Sequence, residues 1–107
     1  MNFSQLKTEI KNVAFETVRT DAEDYFEAVI TKEKLTELSF TLEKGFGVPA
    51  WPSKNRLAAQ IQKAIAEFGG IRDGQTLYFG NEDKYSLFAM LWPWQDAEHI
   101  TLKMAKK

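Results

Sequence analysis

The sequence predicts an α+β fold: two layers, with helices packed on one face of a small, mostly antiparallel sheet that ends in a three-stranded C-terminal meander. Three observations predict it. Apolar residues recur at helical spacing through much of the first two thirds of the chain, and strand-like runs separated by turn-forming residues fill the last third. The chain has 107 residues, 44% hydrophobic and 27% charged. A chain of that size buries about 60–70% of its unfolded surface, enough for one core, so residues 1–107 are taken as a single domain.

Phe3, Leu6, Ile10, Val13 and Ala14 form the first apolar stripe, and Ser4 stands where an N-cap would open that helix. Its end is open, because Thr17, Val18 and Thr20 are β-branched and suit a strand. Asp21-Ala22-Glu23-Asp24 then reads as a solvated turn, and Tyr25 to Ile30 as a short strand. Thr31 to Phe46 fits two periods. Leu38, Phe40 and Leu42 alternate, while Leu35, Leu38, Leu42 and Phe46 repeat as on a helix. Helix is chosen, with Thr31 as N-cap, an Ile30–Leu35 staple and a glycine stop at Gly45 or Gly47; Phe40 is left without a role.

Pro49 and Pro52 make Gly47 to Ser53 an extended connector. Ser53 is placed to cap a third helix whose apolar face is Leu57, Ala58, Ile61, Ala64, Ile65 and Phe68. Gly69-Gly70 ends it in a Schellman-type turn with Ile71 packing back. After the Asp73-Gly74 turn come Thr76 to Phe79, Tyr85 to Trp92 and Ile100 to Ala105, separated by Asn81–Lys84 and Gln95–Glu98. Tyr85 to Trp92 is apolar on both faces and reads as the sheet centre. Ile100 to Ala105 alternates with polar residues, as an edge or half-exposed strand does.

Composition closes several function classes. With no Cys there are no disulfides, thiolate nucleophiles, Cys-ligated zinc sites or iron–sulfur clusters, and a single His removes every metal site that needs a His pair. No cofactor, metal or catalytic residue is assigned. A net charge of -1 supplies no field to draw the chain onto nucleic acid or an anionic membrane. Lys7, Glu9 and Lys11 interrupt the N-terminal region where a signal peptide is apolar, and the longest uncharged apolar run, Leu87 to Trp94, is short for a span. A cytoplasmic, membrane-free protein is expected.

Each motif that resembles a site has a plainer structural account. His99 follows Asp96 and Glu98, the minimum for base chemistry, but no hydroxyl nucleophile lies near it in the chain, so no catalytic or metal role is expected of it. Gly45-Phe46-Gly47 and Gly69 to Gly74 follow helices, whereas a phosphate loop precedes one. Asp21 to Asp24 lacks the sixth-position Gly of a calcium loop, where Phe26 stands. Pro49-Ala50-Trp51-Pro52 spells a proline-rich ligand, yet it bridges two helices, and Trp51 suits pinning a connector to a core. Lys54, Arg56, Lys63 and Arg72 make a small cationic set that a solvated helix face explains.

The aromatic residues carry the remaining information. Alternation puts Phe88, Met90 and Trp92 opposite Leu87, Ala89 and Leu91, so one of the two sets needs a cover beyond helices on a single face. Trp51, Arg72, Tyr78, Trp92 and Trp94 are the candidate binding residues, Trp94 being a partly exposed ring at the last turn. The expected function is a non-catalytic protein-interaction or homo-oligomerising domain with an apolar, Trp-bearing surface, its partner another protein or a second copy in a homodimer. The alternative is a binding domain for a small ligand or single-stranded nucleic acid, the latter disfavoured by the few basic residues beside the aromatics. An enzyme using carboxylate or Tyr chemistry comes third.

Overall fold

The computed structural model describes residues 2–53 and 56–107. Along the chain they form α1 (Phe3–Ile10), β1 (Thr17–Asp21), β2 (Tyr25–Thr31), α2 (Leu35–Phe46), α3 (Ala59–Ile65), β3 (Thr76–Glu82), β4 (Tyr85–Pro93) and β5 (His99–Lys106). The five strands make one antiparallel sheet in the order β1-β2-β5-β4-β3. The α+β class, the antiparallel sheet and the C-terminal meander are those read from the sequence.

Asn2, not Ser4, caps α1: its side-chain oxygen accepts the Gln5 N–H at 3.0 Å. That shift takes Phe3 into the first turn, where its free amide donates to Glu82 Oε1 at 2.7 Å. The predicted stripe is buried at Phe3, Leu6, Ile10 and Val13, while Ala14 is exposed. Thr17, Val18 and Thr20 do form a strand, the sheet edge β1, which bulges at Arg19 and is exposed at all five residues. Asp21 at its end takes Lys7 at 3.1 Å and Lys11, fastening α1 to the edge. Those ammonium groups, Lys11 foremost, hold the Asp21 carboxyl below the usual carboxylate range.

Helix is the outcome for residues 35–46. Leu38 and Leu42 are buried, and Phe40, the residue without a role, stands 66% exposed. The Thr31 cap is replaced by a 3-10 turn over Lys32–Lys34, with no side-chain cap at Thr31. The third helix is shorter than its apolar stripe suggests. It begins after Ala58, leaving Leu57 and Ala58 outside it, and passes into a 3-10 turn over Ala66–Phe68. Ser53 is therefore not its cap, and Lys54 of the cationic set lies outside the described residues. The Schellman end is present: Gly70 N–H reaches Ile65 O at 3.1 Å and Gly69 N–H reaches Ala66 O at 3.2 Å.

Two features differ from the sequence expectation. The centre of the sheet is β5, hydrogen-bonded to β2 on one side and β4 on the other. Of the two readings of this strand, edge or half-exposed, the edge is therefore excluded, and the strand read as the centre, β4, lies beside it. Its polar alternation, Thr101 and Lys103, marks the face that helices cover incompletely. Secondly, helices occupy both faces. α1 and α2 pack on Phe26, Ala28, Ile30, Leu87, Ala89, Leu91, Leu102 and Met104. The opposite face carries Leu77, Phe88, Met90 and Ala105 under Ile61, Ile65, Phe68 and the Ala50-Trp51 connector. The set that needed a cover finds it in α3 and the 3-10 turn after it, whose Phe68 reaches across to Tyr25 of β2. The row Trp92, Thr101, Val29 and Thr17 on the same face lies outside the buried residues of that core. Among the described residues, no helix is long and apolar enough to cross a membrane.

Candidate interaction surface

The five residues singled out by sequence do not assemble. Tyr78 is 2% exposed, buried in the first core 6.0 Å from Phe46. Trp51 pairs with Leu77 through a β-bridge and lines the second core, as a connector pin does. Arg72 is exposed on the turn before β3, where its amide donates to Gln75 Oε1 at 2.8 Å. Trp92 is half-buried in the second core with the Lys103 ammonium 3.7 Å from its ring centre. Only Trp94 presents its ring to solvent, at 38% exposure.

Register explains what surrounds Trp94. Across the half-open face, Trp92 pairs with Thr101, Thr101 with Val29, and Val29 with Thr17. Trp94 folds back over this row, its indole N–H donating to Thr101 Oγ1 at 2.8 Å. His99 lies tilted against the indole with ring centres 4.8 Å apart, and the Arg19 guanidinium lies 5.7 Å from the same ring. The bulge in β1 aims Arg19 this way, and Glu27 of β2 holds it at 3.3 Å. His99 is itself held at both ring nitrogens, Nδ1 at 2.6 Å from Asp96 Oδ2 and Nε2 at 3.0 Å from Glu16 Oε2. Sequence inspection found His99 and Asp96 but not Glu16 or Arg19, which nothing in the chain's local pattern connects to residue 99.

No protein-family model, curated protein or solved structure matches this chain.

The electrostatics favour holding over reacting. The Asp96 hydrogen bond first, and Glu16 second, raise the His99 imidazole above its ordinary value. The amide N–H of Glu98 is the leading cause that keeps the Asp96 carboxyl below its own. With an N–H donated to a carboxylate from each ring nitrogen, His99 is an imidazolium and has no lone pair with which to accept a proton. Burial, with Glu27 beside it, pushes the Tyr25 hydroxyl up, and burial does the same to Tyr78, so both phenols are held protonated rather than activated. Among the described residues, no group of three or more His, Cys, Asp or Glu side chains is placed to hold a metal ion. The concavity lined by Glu23, Asp24, Tyr85, Lys106 and Lys107, at the far end of β5 from His99, mixes two carboxylates with two amines.

Proposed function

We propose that this chain is a protein-interaction module whose contact surface is the Trp94 end of the sheet: the Trp94–His99 pair, Arg19, and the bare edge of β1 beside them. The observation that carries this reading is Trp94 itself. Its ring is fixed by a hydrogen bond to Thr101 and flanked by His99 and Arg19, yet remains 38% exposed. A rigid, half-exposed tryptophan with arginine beside it is the kind of anchor that dominates protein interfaces, since little side-chain entropy is left to lose on binding. Charge separates this reading from nucleic-acid binding. Arg19 is matched by Glu27, and His99 by Asp96 and Glu16, so the surface offers no excess of cations to a phosphate backbone. The cover that α3 gives Phe88 and Met90 removes the reason for a second copy on that face, which favours a different protein as the partner.

The test is a photo-crosslinking residue at Thr17, which is exposed and in the row beneath Trp94, used in native extract with Lys63 on α3 as the control position. The expected result is a discrete adduct from position 17, absent from position 63 and lost when Trp94→Ala is added. An adduct of twice the chain's mass would make the partner a second copy. Equal labelling from both positions, or an adduct indifferent to Trp94→Ala, would refute the surface.

A further inference from the structure

We propose that Glu16, His99 and Asp96 form a proton-operated clasp: with both ring nitrogens protonated, His99 ties the segment entering β1 to the β4–β5 turn, and loss of one proton releases Glu16. This goes beyond the binding reading and does not depend on what the surface binds.

Carboxylate oxygens only accept, and a neutral imidazole has one N–H, so contacts from Nδ1 to Asp96 at 2.6 Å and from Nε2 to Glu16 at 3.0 Å together require imidazolium. The two arms are unequal. Asp96 is fixed in place, because its Oδ1 accepts the amides of Glu98 at 2.9 Å and His99 at 3.0 Å, leaving Oδ2 aimed at the ring. Glu16 reaches from 83 positions away, and its side chain is 47% exposed, so water competes for it. Nδ1 therefore keeps its proton and Nε2 gives one up. A bare Nε2 lone pair then faces the Glu16 carboxylate, and that contact becomes repulsive.

The charged groups around the ring set the pH window. Glu16 faces it from the α1–β1 connector and Asp96 from the β4–β5 turn; Arg19 of β1 approaches through the shared Trp94 ring, and Glu98 adjoins in the chain. Thr31 of β2, paired opposite His99, carries no charge. Because the carboxylates raise the imidazole, the clasp is fully made below the ordinary imidazole value of about 6.5 and is lost as pH rises through the higher folded value. Asp96 is depressed, so its own arm of the clasp persists below the ordinary carboxylate range. Below that higher value of the imidazole, with Glu16 ionised, the edge strand is anchored at Glu16, the residue before its first. Above it, β1 is held by β2 and by the Lys7 and Lys11 contacts at its far end.

His99 is the chain's one imidazole, so its ring signals in an NMR titration are unambiguous. The experiment follows ring protonation and β1 amide exchange, corrected for intrinsic pH dependence, in the wild type, Glu16→Gln and Asp96→Asn. The wild-type midpoint should lie above the ordinary imidazole value, with exchange at Thr17 and Val18 rising through the same midpoint. Glu16→Gln should move the midpoint down and abolish that step in exchange while Asp96 still holds Nδ1. Asp96→Asn should move the midpoint further. An ordinary wild-type midpoint, a midpoint unmoved by Glu16→Gln, or β1 exchange that does not follow the titration would overturn the clasp.

Discussion

Gly69 joins the end of α3 to the half-open sheet face, and replacing it separates two costs that are usually confounded. Its φ of 98° lies in the left-handed region, and a Cβ built there would stand 2.6 Å from Trp92 Cη2 and 3.2 Å from Cζ2. An L-residue in that backbone region costs roughly 1–2 kcal/mol. Forcing the indole aside costs roughly another 1–3 kcal/mol, as overpacking does. Gly69→Ala should thus destabilise by about 2–5 kcal/mol, a large share of a small domain's stability. Gly70 is the internal control, since its φ is 69° but a Cβ there would meet nothing within 4 Å. Gly70→Ala should cost only the backbone part, about 1–2 kcal/mol. In a Trp92→Leu background the ring is gone, and Gly69→Ala should fall to the Gly70→Ala value. Urea denaturation of the single and double variants, with the coupling energy read from the cycle, measures this. Equal costs for Gly69→Ala with and without Trp92 would refute the packing of the indole against the Schellman turn.

Two further pairs of substitutions test the burial pattern by the same denaturation curves. Leu42→Ala, at a fully buried position of α2, should cost about 2–5 kcal/mol, whereas Phe40→Ala, two residues away and 66% exposed, should stay within about 0.5 kcal/mol. Phe68→Ala removes a ring packed 5.6 Å from Tyr25 and 5.1 Å from Phe88 and should cost about 3–5 kcal/mol. Trp94→Ala loses one hydrogen bond and the His99 and Arg19 contacts of a ring already 38% exposed and should cost about 1–2 kcal/mol, so losses as large as those for Phe68 would make Trp94 a core residue and deprive the proposed surface of its anchor.

Much of the fold is legible in the sequence because local rules and burial agree there. The stripe Phe3, Leu6, Ile10, Val13 is the buried face of α1 and its continuation, and Gly69-Gly70 ends α3 with the two bonds its spacing implies. Phe88 and Met90 do stand opposite Leu87, Ala89 and Leu91, in two separate cores. Errors fall where two local signals compete or where a neighbour decides. Ser4 and Asn2 are both good caps, and Asn2 prevails because Glu82, distant in sequence, takes the Phe3 amide. Leu57 and Ala58 fit the helical stripe, yet α3 starts after them and Leu57 packs into the second core from outside the helix.

The Trp94 surface was out of reach for a different reason: its members are brought together by strand order, which periodicity does not encode. Glu16 donates its amide to Val29 O at 2.9 Å, Val29 pairs with Thr101, and His99 lies two residues before Thr101 on the same side of β5. The two cross-strand links in that path run through β2. The path therefore exists only because β5 lies between β2 and β4; at the far edge beyond β4, where its clean alternation pointed, residue 99 would have met neither Glu16 nor Arg19. The polar alternation of β5 is thus the mark of the face on which Trp94 lies. Thr101 and Lys103 interrupt the apolar pattern because they carry Trp94 and Trp92 instead of a helix. A central strand with one polar face points to a sheet surface kept open, and here that surface is the one around Trp94.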